Sequence, residues 1–473
     1  VPPLLLVTGA AAVLTVLLGL VFRDVRRAAL ALTPIVIGTL VYGHAARVGA
    51  SLHVPALLQQ AAWGTMVAVG VVLAVRLSAA RIQRVGLALT RIAAILVAIT
   101  LVVIVPAQLT GGNAAAATTD GAALATTTSA PRRDVYWFIF DRYGSDRSLE
   151  LQYGLHNDLT PWLRERGFTV PGSYANYVKT SLSLSTTMQM THLASMPGLP
   201  GPGEHSHAFI YAQIRSSRVA RQFKALGYRY VNIGSWWSPT RSSPLADENL
   251  HTPGPSEFAR SLIEASAVPA LLRRAGVTVD ARERHWENSV FGLDAALGVQ
   301  SEPGPKFVFA HILMPHPPYV FAADGTFRTR RASLGVPRET LFADQLSYAN
   351  SRIRQIIDRL LAVPEAERPI IILQADEGPE MPQYTSTSTT TWDWTRASTE
   401  ELEIKFGILN AWYVPGDRPV RLYPGQTSIN TFPLLFRDYF GLDYDLLPDR
   451  VFASRKYNLP YDEIEITDRL PTP

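Results

Sequence analysis

Four long apolar runs open the chain, at about residues 3–21, 28–43, 56–76 and 87–107. Each run approaches the ~20 residues that a helix needs to cross a bilayer, although the second is short. A cleaved signal peptide would supply only one such run, and helices buried in a soluble core are usually shorter. Residues 1–108 are therefore predicted to be transmembrane helices.

Arginines beside these runs predict their orientation. The loop after the second run contains only Arg47. Positive charge is concentrated instead after the first and third runs, in Arg23, Arg26, Arg27, Arg76, Arg81 and Arg84. By the positive-inside rule these two loops are cytoplasmic. Val1 and everything after residue 108 are then expected outside the cytoplasm, and a further span upstream of Val1 is an expectation of this topology.

Residues 109–133 are predicted to be a flexible linker. Most of the stretch 111–130 is Ala, Thr and Gly, a composition that cannot bury enough apolar surface to fold.

From Asp134 onward the pattern changes to an α/β domain, predicted over residues 134–473. Short β-branched and aromatic runs alternate with helical patterns such as 208–226 and 340–362. The predicted strands cover residues 135–140, 228–233, 307–313, 370–374 and 406–414. Continuously apolar strands that alternate with helices are typical of a mostly parallel sheet covered on both faces. Such sheets bind ligands beyond the carboxyl ends of their strands.

Charge and composition exclude several classes of function. Residues 1–108 carry a net charge of +7 against +4 for the whole chain, so the remainder is about −3. The basic pI of about 9.2 therefore belongs to the membrane segment, and no nucleic-acid partner is predicted. The chain has no cysteine, which excludes disulfides, thiolate metal sites and cysteine nucleophiles.

Two predicted strands end in acidic residues. Asp141 follows the run 135–140, and Asp376, Glu377 and Gly378 follow the run 370–374. A carboxylate at the end of a buried strand is costly unless it is paired or binds a metal ion. A single such residue is usually a helix cap or a turn residue, but two of them together favour a metal site.

Two further segments add candidate chemistry. Thr180 and Ser181 open a predicted helix, where a hydroxyl is either a cap or a nucleophile held beside free backbone amides. His311 lies inside the strand 307–313 and is interpreted as a core histidine. His316, in the sequence His-Pro-Pro-Tyr at the end of that strand, is the better candidate for contact with a substrate or a metal.

These four segments, in this order, resemble the alkaline phosphatase and sulfatase superfamily. The likeness is greatest to its membrane-bound bacterial branch, the lipoteichoic acid synthases and lipid A phosphoethanolamine transferases. The resemblance implies several spans, a linker and a sulfatase-like α/β domain outside the cytoplasm. It also implies one divalent metal ion held by Asp141, Thr180 and Asp376, with Thr180 as the nucleophile. His316 would contact the transferred group.

The chain departs from the family pattern at Glu377, where relatives usually have histidine in an Asp-His-Gly sequence. Glu377 either still coordinates the metal or has lost it. Coordination would give an all-oxygen site that favours Mn²⁺, Mg²⁺ or Ca²⁺ over Zn²⁺. Loss would leave a metal-free envelope-assembly or binding protein on the same fold. All ten histidines lie at or before His316, so the second zinc site of some relatives is not expected.

The resemblance implies transfer of a phospho-alcohol headgroup from a lipid donor to a lipid or glycan acceptor of the cell envelope, through a phospho-threonine intermediate. A phosphate- or sulfate-ester hydrolase with the same site is the alternative. The chain lacks the Cys/Ser-x-Pro-x-Arg motif from which formylglycine sulfatases make their nucleophile. The run Thr385–Thr391 is predicted to be either a lid over the acceptor site or a solvated loop.

Overall fold

The computed structural model describes residues 2–117, 124–254, 257–275, 280–381, 393–456 and 458–471. The predicted lid Thr385–Thr391 and part of the predicted linker, residues 118–123, lie outside the described residues. The chain divides into two compact units. Unit 1 comprises Val1–Leu109 and Pro253–Asp280, and unit 2 comprises Thr110–Thr252 and Ala281–Pro473.

Unit 1 is helical. Its helices are α1 Pro2–Phe22, α2 Val25–Ser51, α3 Ala56–Arg76, α4 Ala79–Ala117, α11 Glu257–Ala265 and α12 Val268–Arg274. Helices α1 to α4 are each long and apolar enough to cross a membrane, as predicted. Asp24 caps α2, since its carboxylate accepts hydrogen bonds from the N–H groups of Arg26 and Arg27.

The predicted linker has structure in its described parts. Helix α4 continues to Ala117, in keeping with the high helix propensity of alanine. Beyond residue 123, the Thr128 hydroxyl donates to the Phe440 carbonyl at 2.6 Å, and the N–H of Ala125 donates to the Gln222 side chain. Residues 124–133 thus pack against other parts of unit 2, to which they belong.

Unit 2 contains the strands and the remaining helices. The strands are β1 Val135–Phe140, β2 Ser173–Tyr174, β3 Arg229–Ile233, β4 Glu248–Leu250, β5 Lys306–Ile312, β6 Ile370–Gln374, β7 Gly407–Ile408, β8 Asn410–Tyr413, β9 Gln426–Thr427, β10 Phe452–Lys456 and β11 Leu459–Glu465. The helices are α5 Asp146–Tyr153, α6 Leu159–Glu165, α7 Thr180–Gln189, α8 Ala208–Arg215, α9 Arg218–Ala225, α10 Ser238–Arg241, α13 Ala281–Gly298, α14 Arg338–Leu361, α15 Thr399–Phe406 and α16 Thr431–Leu434.

Six strands form the main sheet, in the order β4-β3-β5-β1-β6-β8. Every neighbouring pair is parallel except β6 and β8, which confirms the predicted mostly parallel α/β fold. The central strand β1 is buried along its whole length. Its side chains alternate between two cores: Tyr136 and Phe138 pack on one face, and Trp137 and Ile139 pack on the other. Burial on both faces explains why this strand is continuously apolar.

The topology places the predicted chemistry at one edge of the sheet. Strands β1, β5 and β6 are adjacent and parallel, so their carboxyl ends meet. Asp141 follows β1 and Asp376 follows β6, while His311 lies near the end of β5, beside Ile139 of β1.

Candidate active site

Three buried side chains form a group that could hold a metal ion. One ligand atom from each of Asp141, His311 and Asp376 lies within 4.8 Å of the other two. The Nε2 atom of His311 is 3.4 Å from Oδ2 of Asp141. The structure thus brings the two predicted acidic residues together and adds His311, which sequence reasoning assigned to the core.

The polar atoms of this group fit a divalent metal ion. Oδ1 of Asp141, Oδ2 of Asp376 and Nε2 of His311 are buried and have no hydrogen-bond partner. Buried carboxylates are costly unless a cation or hydrogen bonds compensate them. The Thr240 hydroxyl lies 2.8 Å from Nδ1 of His311 and orients the ring so that Nε2 faces Asp141. Histidines that bind metals are commonly oriented in this way by a contact to the other ring nitrogen.

Thr180 lies beside this group. It is the first residue of α7, after Lys179 in an extended conformation, and its hydroxyl is next to the carboxylate of Asp376. Burial raises the pKa of Asp376 well above its usual range, and the charges of Asp141 and Glu377 raise it further. The contact to Asp376 holds the Thr180 oxygen at the candidate metal site.

The backbone also contributes to this arrangement. The N–H of Arg142 donates to Oδ1 of Asp376 at 3.1 Å, and Arg142 has a φ of 62°. This left-handed conformation is uncommon for a residue with a side chain, and residues held there often lie at functional sites.

Glu377 lies next to this group but is paired with two cations. Its Oε1 is 2.8 Å from Nε of Arg142, and its Oε2 is 2.7 Å from Nζ of Lys405. All three side chains are largely buried. The group formed by Asp141, His311 and Asp376 does not include Glu377, so its role as a metal ligand stays a prediction.

A close backbone approach brings Lys405 to Glu377. The N–H of Gly378 donates to the Lys405 carbonyl at 2.8 Å. A Cβ atom at Gly378 would lie 2.2 Å from the Ile404 carbonyl oxygen, a distance that no side chain could occupy. Glycine at this position therefore allows the end of α15 to present Lys405 to the site.

His316 lines the same cavity as Asp141 and Thr180. Its turn is held by Gln345, whose amide donates to the carbonyls of Pro315 and His316 at 3.1 and 3.0 Å. Burial lowers the pKa of His316, and the charge of Asp141 partly opposes that shift. The structure therefore places His316 where it could contact a group bound near Asp141.

The cavity has a volume of about 310 Å³. Its lining includes the basic residues Arg142, Lys179 and Lys405 and the aromatic residues Tyr211, Trp236 and Trp237. Burial lowers the pKa of Lys179 to about 8, although the charge of Glu377 opposes this. Basic groups beside a metal site suit a phosphate or sulfate ester, and aromatic rings provide flat apolar walls for the rest of a substrate.

Sequence reasoning missed most of these lining residues. Lys179 could have been found, because it directly precedes Thr180. Lys405, Trp236 and Trp237 are remote in sequence from every motif, and only the fold brings them to the cavity. A larger cavity of about 580 Å³ is lined by Tyr174 and Glu403 among others, but none of the predicted site residues is in its lining.

No protein-family model matches the chain, and no curated protein matches it. Solved structures resemble it at low identity. The C-terminal periplasmic domain of EptC from Escherichia coli, in complex with zinc, is 15% identical with a TM-score of 0.46, covering 74% of this chain and 98% of that one. BT1596, a 2-O GAG sulfatase, is 10% identical with a TM-score of 0.40, covering 67% and 72%. A protein from Vibrio parahaemolyticus is 12% identical with a TM-score of 0.40, covering 70% and 74%. This last structure is described as a member of the alkaline phosphatase superfamily.

Proposed function

We propose that this chain is a membrane-bound, metal-dependent phosphotransferase. It would move a phospho-alcohol headgroup from a lipid donor to a hydroxyl or amine of a cell-envelope lipid or glycan. The observation that carries this proposal is the position of the Thr180 hydroxyl next to Asp376, in a group where Oδ1 of Asp141, Oδ2 of Asp376 and Nε2 of His311 are buried without a hydrogen-bond partner. Basic side chains around this hydroxyl favour an anionic substrate.

Asp141, His311, Asp376 and Thr180 would hold the metal ion. A divalent ion bound there would neutralise negative charge on the phosphoryl group and lower the pKa of the threonine hydroxyl. The set of two carboxylates and one imidazole differs from the all-oxygen set expected with Glu377. Because imidazole is the softer ligand, this set favours Mn²⁺ or Zn²⁺ over Mg²⁺ or Ca²⁺.

Glu377 would then act through its neighbours. Its two oxygens hold Arg142 and Lys405, and both of these side chains line the cavity. Where relatives have a histidine that coordinates the metal, this chain would thus have a glutamate that forms ion pairs with two basic side chains. His311, on strand β5, would supply the imidazole in its place.

The chemical step forms and breaks bonds at phosphorus. The Thr180 oxygen forms a bond to phosphorus while the bond from phosphorus to the lipid alcohol breaks. The Thr180 hydroxyl gives up its proton, for which His316 is the proposed acceptor, and the departing oxygen takes that proton from His316. In the second half, the acceptor oxygen or nitrogen attacks phosphorus and loses its proton to His316, the Thr180–phosphorus bond breaks, and the Thr180 oxygen takes up that proton. The threonine is regenerated, and no oxidant or reductant is required.

Intact-protein mass spectrometry tests this function. Purified full-length chain loaded with Mn²⁺ or Zn²⁺ and given envelope lipids is expected to gain a covalent mass that maps to Thr180. The size of the added mass would identify the transferred group. Adding an acceptor glycan should then return the protein to its original mass. A labelled lipid donor separates transfer from hydrolysis, because a hydrolase releases the labelled headgroup to water. A chain that gains no mass and turns over no donor with any divalent ion would support the binding-protein alternative.

We propose that unit 2 lies outside the cytoplasm, on the basis of the four apolar helices and the arginine bias. The absence of cysteine gives a clean background for labelling. A membrane-impermeant maleimide should label Leu334→Cys in intact cells, because Leu334 is an exposed residue of unit 2. Ser78→Cys, in the exposed loop between α3 and α4, should react only after lysis. The reverse pattern would contradict this orientation.

A further inference from the structure

Residues 253–280 lie between two parts of unit 2 in the sequence, but they belong to unit 1. Helix α11 packs against α2. The N–H of Ala267 donates to the Thr39 carbonyl at 2.7 Å. A Cβ atom at Gly43 would lie 2.4 Å from the Glu264 carbonyl oxygen, so glycine is needed for this approach. The turn between α11 and α12 is thus fixed directly on a predicted transmembrane helix.

The contact lies at a defined level of α2. Gly43 is the last residue of the apolar run 28–43, and the polar residues His44 and Arg47, which contact each other at 2.8 Å, follow it. Thr39 lies about one helical turn, or ~5.4 Å, further into the apolar run. By the arginine bias, this end of α2 faces outward. Membrane insertion of α2 would therefore put the turn of the segment at the boundary between lipid headgroups and acyl chains of the outer leaflet.

The surface of this segment is unusually apolar for a domain outside the membrane. After residue 117, the described residues expose four large aliphatic side chains, and three of them lie in this short segment: Ile263 at 39%, Val268 at 37% and Leu271 at 59%. The fourth is Leu334. Exposed Arg274 follows Leu271 on α12. Apolar side chains with a basic residue at one end are typical of helices that lie in a membrane interface.

We propose that α11 and α12 form a short hairpin inserted into the outer leaflet, with lipid acyl chains against Ile263, Val268 and Leu271 and anionic headgroups near Arg274. The proposal rests on membrane insertion of α1 to α4, as proposed above. The segment is too short to span a bilayer. It therefore adds a second membrane contact to the chain, which is separate in sequence from the four spans.

Depth-dependent quenching tests this inference on the full-length chain. Leu271→Cys carries an environment-sensitive fluorophore in proteoliposomes, with Leu334→Cys as the matched exposed control and Val97→Cys of α4 as the membrane control. The Leu271 label should be quenched most by lipids with a nitroxide near the headgroup end of the acyl chain and be protected from aqueous iodide, whereas the Val97 label, at the middle of its predicted span, should be quenched most by nitroxides deeper in the chain. The Leu334 label should show the opposite pattern.

Each other outcome has a distinct meaning. A Leu271 label that iodide quenches like the Leu334 label would overturn the hairpin. Protection from both quenchers would also overturn it and would point to a protein partner, such as a second copy of the chain. A Val97 label that lipid nitroxides do not quench would instead refute membrane insertion itself.

Discussion

Replacement of Thr180 by alanine is expected to abolish both the covalent adduct and headgroup transfer. The hydroxyl lies at the start of α7, next to Asp376, and alanine has no oxygen that could replace it as the nucleophile. Loss of a covalent nucleophile typically costs about 10³-fold or more in turnover. The N-cap of α7 is Lys179 and not Thr180, so the cost in stability should be only about 1 kcal/mol, for one lost polar contact.

Two matched variants make this prediction specific. Thr180→Ser keeps a hydroxyl at the same position and should retain measurable transfer. Ser181→Ala removes the neighbouring hydroxyl, which lies 3.4 Å from Nδ1 of His207, and should change turnover little. Transfer assays and intact mass are measured for all three proteins with a melting curve for each. A Thr180→Ala protein that still gains the adduct would move the nucleophile to Ser181 or Ser183.

Metal content should respond in opposite ways to changes at His311 and Glu377. His311→Gln removes the imidazole that lies 3.4 Å from Asp141, and we expect loss of the bound ion together with activity. Glu377→Gln keeps the shape of the side chain but weakens its pairs with Arg142 and Lys405. We expect this variant to retain the ion and to bind the anionic substrate differently. Elemental analysis of the purified, metal-loaded proteins measures the metal content. Separate determination of KM and kcat measures the change in substrate binding.

Elemental analysis also distinguishes the ligand set that includes His311 from the set with Glu377 that was expected from the sequence. If Glu377 coordinates, Glu377→Ala should lose the ion and His311→Gln should keep it. Glu377→His would then restore the family pattern and shift preference toward Zn²⁺. Thr240→Val offers a graded control, because it removes only the hydroxyl 2.8 Å from Nδ1 of His311. Loss of such an orienting contact typically weakens metal binding about 10–100-fold.

The elements that the sequence predicted best are those with strong continuous patterns. Strands β1 and β6 have the predicted bounds, because both are buried on two faces and contain little besides apolar residues. The predicted helix 208–226 is instead two helices, α8 and α9. The interruption occurs at Ser217, whose side chain accepts a hydrogen bond from the N–H of Ala220 and caps α9. A capping residue inside a periodic pattern was the signal for this break.

The candidate site was predictable only in part. Asp141, Asp376 and Thr180 stand at element ends, where local sequence marks them. His311 stands inside a strand, and a strand histidine has the same local sequence whether it is a core residue or a ligand. Its role depends on its pairing with Ile139 of β1, which is far away in sequence. The pair between Glu377 and Lys405 likewise depends on the backbone contact of Gly378 with α15.

The strand order also has a consequence for how the chain folds. Strand β1 is the first strand of unit 2 and its central one, and Val135 pairs with both Phe307 and Ile370. Both partners emerge only after most of the domain has been synthesised. Closing such long loops carries an entropic cost, and folds dominated by distant contacts form slowly. We therefore expect β1, with its six apolar residues, to remain without its sheet partners through most of synthesis, which makes the nascent domain dependent on chaperones until β6 arrives.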